Sequence, residues 1–210
     1  MARPNQYPMC AGPFAFALGC WWQASLPSRL PSTYPAVALL PSASMTIEVV
    51  DYDEAWPSRA AVACAELRGS LLQLFTAIEH IGSTAVPGLA AKPVIDLMAS
   101  TADVDQVTEH DTTLRLLGYK CHETGMSGRL FYLRDENGKR AYHLHVVSID
   151  SWPGRNELLL RDYLRTHPAD AQRYGKLKRS LATRHETPVD YTQAKTALIQ
   201  ELTDRARTAG

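Results

Sequence analysis

Residues 80–96, HIGSTAVPGLAAKPVID, constrain this chain more than any other stretch: a Gly-Ser turn sits between two short apolar runs and the segment closes on an acidic residue. The flanking TAIEHI and VIDLMA carry Ile78, Ile81, Val94, Ile95 and Leu97, and their β-branched, apolar content predicts two buried strands. Polar groups at the ends of buried strands need a use. Gly82 and Ser83, with Thr84 beside them, can bring backbone N–H groups and hydroxyls against a phosphate, because glycine sets no side chain in the way. Lys92 can meet a phosphate as a point charge. Asp96 can offer carboxylate oxygen to Mg²⁺ or another divalent metal, which phosphoryl and nucleotidyl transfer require. A Gly-Ser dipeptide alone is an ordinary turn; the lysine and the carboxylate that follow it point to an anionic ligand.

The charge balance says where such a ligand must be held. Lysine plus arginine and aspartate plus glutamate number 22 each, so the chain has no net pull toward nucleic acid or an anionic membrane, and an anion depends on a local cluster. Cys10, Cys20, Cys64 and Cys121 form no CxxC pair and no metal-ligand spacing, which predicts a reducing, cytoplasmic setting. Residues 1–44 differ from the rest: they hold seven of the thirteen prolines and only Arg3 and Arg29 as charges. That composition predicts a disordered arm or a mis-assigned start, with the natural chain beginning near Met45. The apolar run 14–22 resembles the core of a signal peptide, but Pro13 opens it and no small-x-small cleavage site follows. Residues 45–210 are expected to form the folded domain.

Along that domain the periodicity predicts a strand at 47–50 and an amphipathic helix within 54–75, carried by Ala60, Cys64, Leu67, Leu71 and Leu74. After the two strands around the Gly-Ser turn, Val104, Val107, Leu114 and Leu117 mark a helix ending at Gly118. Strands are expected at 119–123, 129–134 and 142–149, the last two joined through Asn137-Gly138, a hairpin-turn dipeptide. Helices follow from Gly154 onward, with Pro168 in a first turn, Pro188 as a breaker and a last helix over 189–205. The order predicts an α+β domain with a mixed sheet and a helical C-terminal part.

Several polar residues are placed by this pattern. His143 and His145 are two apart on a strand and share a face. They join Asp96 as ligands of a transition metal, or serve as phosphate-contacting or acid–base groups; alternatively, one bonds within the sheet and the other lines a pocket. Glu79 and His80 must face opposite sides of their strand; His80 is expected toward the pocket and Glu79 in an edge salt bridge. Tyr174 and Lys178, four apart on one helical face, and Lys195 are candidates for base stacking and phosphate contact. Arg129 or Arg134 could clamp a phosphate, although hairpin charges usually face solvent. Lys176, Lys178 and Arg179 make a basic patch too small for a nucleic-acid groove.

The runs HIGSTAVPGLAAKPVIDL, YHLHVV, RDYLRTHP and YGKLKRSLA, in this order within 49–206, resemble the GrpB family, a branch of the nucleotidyltransferase superfamily with a minimal polymerase-β-like fold. The resemblance implies that fold, with the superfamily's Gly-Ser loop at Gly82 and Ser83 and its first metal-binding carboxylate at Asp96. It also shows a departure. Active members place a second carboxylate two residues later on the same strand face, where this chain has Met98, and a third on a later strand, where it has His143-Leu144-His145. Three functions follow as expectations. The chain binds a nucleotide or other phosphorylated ligand and transfers a nucleotidyl group, with Asp96, Lys92, His143 and His145 catalytic and His80, Gly82, Ser83, Thr84, Tyr174 and Lys178 binding. Or it is a non-catalytic nucleotide- or partner-binding module linked to coenzyme A metabolism. Or it is a His/Asp metal enzyme of another class.

Overall fold

A five-stranded mixed sheet, in the order β1-β2-β5-β4-β3, carries the site. The structure, a computed structural model, describes residues 47–184 and 188–209. The proline-rich arm and the start expected near Met45 lie outside these residues. The elements are α1 Trp56–Ser70, β1 Ala77–Ile81, β2 Ile95–Thr101, α2 Val104–Thr108, α3 Asp111–Leu116, β3 Lys120–Cys121, β4 Arg129–Glu136, β5 Lys139–Ser148, α4 Asn156–Thr166, α5 Pro168–Ala182 and α6 Pro188–Ala209. Only β2 and β5 run parallel; the other pairs are antiparallel. The α+β class, the mixed sheet and the helical C-terminal part agree with expectation.

Local chemistry explains most element ends. Asn137 and Gly138 both have positive φ, 52° and 74°, which a tight hairpin loop between right-twisted strands requires. The helix expected from Val104 to Leu117 is two short ones, α2 capped by the Asp103 carboxylate and α3 starting at Asp111; both keep their apolar residues, Val107 and Leu114, in the core. The strand expected at 47–50 is reduced to one bridge, Val50 to Ala91, and that at 119–123 to β3 at the sheet edge. α1 stops at Ser70, and Leu71 and Leu74 continue into the core from turns.

The two sheet faces are used differently. On one, Ile78, Ile95, Leu97, Ala99, Tyr132, Leu144 and Val146 pack against Ala60, Ala63, Cys64 and Leu67 of α1. Ile81, Met98 and Val147 of the other face form a small apolar cluster with Trp152 and Leu158. The helices have their own core, made by Leu160, Leu164, Tyr174, Leu198 and Leu202. Val86 and Leu89, from the segment after the Gly-Ser turn, belong to that helical core, so the turn is held between sheet and helices. No helix among the described residues is long and apolar enough to cross a membrane.

Candidate functional site

The register that pairs Ile81 with Asp96, and Asp96 with His143, brings the ends of β1, β2 and β5 together on the face away from α1. An open cleft lies there, walled by the Gly-Ser turn and the sheet on one side and by Leu160, Arg161, Leu164 and Tyr174 of the helices on the other. Gly82, at φ +71°, is required twice over: its backbone is left-handed, and a Cβ there would run into the Asp96 carboxylate, 3.0 Å from Asp96 Cβ. Ser83 and Tyr174 both line the cleft, and burial raises the Tyr174 phenol pKa far above the usual value.

His80 lies on the sheet face opposite Asp96, paired with Leu97, while Glu79 shares the Asp96 face. The expected orientation of these two is thus reversed. His80 Nε2 is 2.9 Å from Thr84 Oγ1, and Thr84 donates its one hydroxyl proton to the Val94 carbonyl at 3.2 Å, so His80 Nε2–H is the donor. Burial lowers the His80 pKa to about 4, which keeps the ring neutral. His80 and Thr84 therefore clasp the turn from behind. Arg161 fastens it from the front, donating to the His80 carbonyl at 3.0 Å and pairing with Glu79, and Arg165 donates to the Ala85 carbonyl at 3.0 Å.

Asp96, His143 and His145 have ligand atoms all within 4.8 Å of one another. His143 Nδ1 donates to Asp96 Oδ1 at 2.8 Å, so that in the neutral ring Nε2 is the lone-pair nitrogen. Arg129, whose guanidinium can only donate, bonds Nδ1 of His145. Burial, then Arg129, His143 and Arg155, hold the His145 pKa well below the usual range. The ring is neutral, carries its proton on Nε2, and acts as a donor; the histidines have opposite tautomers. Asp96 fits the single-carboxylate role in a magnesium site completed by phosphate and water, whereas the histidines suit a softer ion and His145 is engaged by Arg129. Met98, where a second carboxylate was expected, is fully buried with Ile81, Val147, Trp152 and Leu158.

Behind Ser83 three lysines from separate segments converge on two buried tyrosines. Lys92 and Lys195 place Nζ at 4.6 and 4.2 Å from the Tyr191 ring centre, and Lys178 places Nζ at 4.5 Å from that of Tyr174. Burial lowers the pKa of Lys92, lowers that of Lys195 to about 7 with help from Lys92, and takes that of Lys178 well below the ordinary value with help from Lys195. Asp96 opposes the shift in each. Three lysines thus feel the field of one carboxylate, and Lys178 Nζ is buried with no hydrogen-bond partner among the described residues. Such a cluster is short of negative charge.

The remaining candidates are placed as follows. Lys178 does not form a surface patch: it is buried, Lys176 is exposed, and Arg179 pairs with Asp51. Arg134 and Tyr132 lie on the α1 face, Arg134 between Glu66 and Glu136 and Tyr132 on Asp111, away from the cleft. Arg129 lines the cleft, as do Glu157 and Arg161, which sequence reasoning passed over. Their signal was present: Glu157 and Arg161 stand four apart beside Leu160 and Leu164, charges on an apolar helical stripe.

Fold and site together define an α+β domain with a cation-lined cleft between a mixed sheet and its C-terminal helices. The chain belongs to the GrpB protein family, whose profile matches residues 46–205. It is 33% identical over 168 residues to the UPF0157 protein YqkA of Bacillus subtilis, covering 77% of this chain but only 47% of that protein, so the chain spans about half the length of that relative. The UPF0157 protein PA4798 of Pseudomonas aeruginosa is 35% identical over 168 residues, 78% of this chain and 69% of that one. The crystal structure of the conserved protein GrpB from Enterococcus faecalis superposes with a TM-score of 0.71 at 33% identity, covering 77% of this chain and 98% of that chain.

Proposed function

We propose that residues 45–210 form a nucleotide-binding unit whose cleft takes the polyphosphate of a nucleoside triphosphate and transfers its nucleotidyl group to a hydroxyl or amine. The observation that carries this is the convergence of Lys92, Lys178 and Lys195 on the Tyr191 and Tyr174 rings, with Asp96 as the carboxylate whose field reaches all three. A polyanion supplies the charge that the lysines lack. The resemblance to nucleotidyltransferases supplies the reaction class: the acceptor attacks the α-phosphorus and the bond to pyrophosphate breaks. Gly82 gives the phosphates room, Ser83 donates to a phosphate oxygen, and the lysines neutralise the leaving pyrophosphate. Tyr174 acts as a platform under Lys178. His80 and Thr84 act through the turn that they clasp.

A divalent ion held by Asp96 would offset phosphate charge when bound. His143, oriented by Asp96, presents Nε2 to receive the acceptor's proton, and His145 offers Nε2–H to an anionic oxygen. The chemistry suits a reducing, cytoplasmic setting, where Cys64 and Cys121 stay free thiols. Titration of the protein with ATP, GTP, CTP and UTP, with and without Mg²⁺ or Mn²⁺, is expected to raise its melting temperature. Asp96→Asn should remove the metal-dependent part; equal shifts in both proteins would defeat the metal role. Buried Met98 favours a second reading, a binding module without turnover. Pyrophosphate release across an acceptor panel separates the two.

A further inference from the structure

The β4 side of the cleft holds a second cationic centre that the lysines do not explain. Arg129 opens β4, two strands across the sheet from Asp96, and its side chain is only 7% exposed. It donates to Glu157 at 3.0 Å and to Nδ1 of His145, while its Nε is buried with no hydrogen-bond partner among the described residues. Arg155, just before α4, has its Nε 3.7 Å from the same Glu157, and that Nε is likewise buried without a hydrogen bond among the described residues. Two guanidinium groups therefore share one carboxylate beside a neutral histidine.

A lock between β4 and α4 needs one arginine and Glu157. It leaves the second cation and both orphaned Nε–H donors unexplained, and a buried charge without full pairing is retained at a cost. Arg129, His145 and Glu157 line the same cleft as Ser83 and Asp96. Arg155 gives Glu157 an alternative partner, so Glu157 can turn from Arg129 without losing its cation. That frees the Arg129 fork, whose planar geometry suits an oxyanion.

We propose that Arg129, backed by Arg155 and joined by His145 Nε2–H, binds an oxyanion, carboxylate or phosphate ester, carried by the second substrate. The acceptor is then itself an anion, seated across β5 from the lysines. This rests on the reading of the cleft as a two-substrate transfer site, but the oxyanion centre is testable separately.

The test is calorimetric titration of the full chain with succinate and with phenyl phosphate, each with and without saturating ATP. The wild type is expected to bind one or both whether ATP is present or not; succinate alone marks a carboxylate acceptor, and phenyl phosphate alone a phosphoester. Arg129→Met should weaken that binding by about ten- to a hundredfold, the loss of charge-assisted hydrogen bonds. Lys195→Met should leave it unchanged while weakening ATP. Should Arg129→Met not fold, Arg155→Met and Arg129→Lys are each expected to weaken oxyanion binding by about tenfold or more. The proposal is overturned if the wild type binds neither probe, if these arginine variants bind as tightly as wild type, or if ATP displaces the probe and Lys195→Met abolishes it. Arg129-dependent binding in a protein that ignores every nucleotide would sink the nucleotide reading and leave this site standing.

Discussion

At the scale of single residues, Gly82 and Lys195 carry the strongest tests. Gly82 and Gly88 both have positive φ, 71° and 73°, but only at Gly82 would a Cβ meet another group, the Asp96 carboxylate. Both alanine substitutions should cost about 1–3 kcal/mol for the strained backbone. Gly82→Ala alone should also displace Asp96 and abolish metal-dependent nucleotide binding; equal nucleotide affinity in the two variants, by calorimetry, would remove the turn's special role. Lys195 makes a pH prediction. Its folded pKa of about 7 lies below its unfolded value of 10.5, so below pH 7 the folded state bears the full burden of a buried charge, which is relieved as pH rises from 7 toward 10.5. Lys92, Lys178, Asp96 and the Tyr191 ring are the groups around it. Lys195→Met should therefore stabilise the ligand-free protein by about 1–2 kcal/mol near pH 6.5, with a smaller gain at pH 10. Polyphosphate needs the charged lysine, so wild-type ATP affinity should fall as pH rises through 7 and that step should vanish in Lys195→Met. A pH-independent stability gain in denaturant melts would contradict the shifted pKa.

At the scale of elements, α4 is the piece that holds the turn in place. Arg161, 8% exposed at its side chain, joins Glu79, Asp162 and the His80 carbonyl, and Arg165 reaches the Ala85 carbonyl. Glu79 and Asp162 are well exposed, so solvent screens their attraction, and Arg161→Met should cost about 1–3 kcal/mol, chiefly from the unpaired carbonyl and lost packing. Hydrogen exchange should accelerate at β1 and the Gly-Ser turn ahead of α1; uniform acceleration would mean only global destabilisation. The same segment shows what was legible in the sequence. The two strands, the Asn137-Gly138 hairpin and the helical stripes follow from periodicity and turn chemistry, which are local. The facing of Glu79 and His80 does not: residues 82–94 separate β1 from β2, and over such a connection the pairing of Ile81 with Asp96 is set by tertiary packing. Nor does the burial of Lys178, because a helix face is readable from spacing while the neighbour that covers it is not. Arg129 looked like an exposed hairpin charge for the same reason: α4, remote in sequence, covers it.

At the scale of the whole molecule, two cores are joined through the functional turn. The sheet packs on α1, and the helices pack on one another and on Val86 and Leu89, which follow Ser83 directly. The helices cannot leave without pulling that segment from between β1 and β2. The described domain should therefore melt in one transition, with far-ultraviolet and near-ultraviolet circular dichroism coinciding. A polyphosphate bound as proposed would engage both cores, through Ser83 and Asp96 on the sheet side and, behind Tyr174, Lys178 and Lys195 on the helical side. At a concentration of 100 times Kd it should add about 2.7 kcal/mol, roughly 5–10 °C in melting temperature, equally in both signals. Succinate bound at Arg129 should add its own increment on top of ATP, because the two cationic centres are built from different segments, Lys92, Lys178 and Lys195 in one and Arg129 and Arg155 in the other. Two transitions, of which ligand moves only the helical one, would show that the lysines bind anions without engaging the sheet, and the carboxylate at Asp96 would then lose its part in the site.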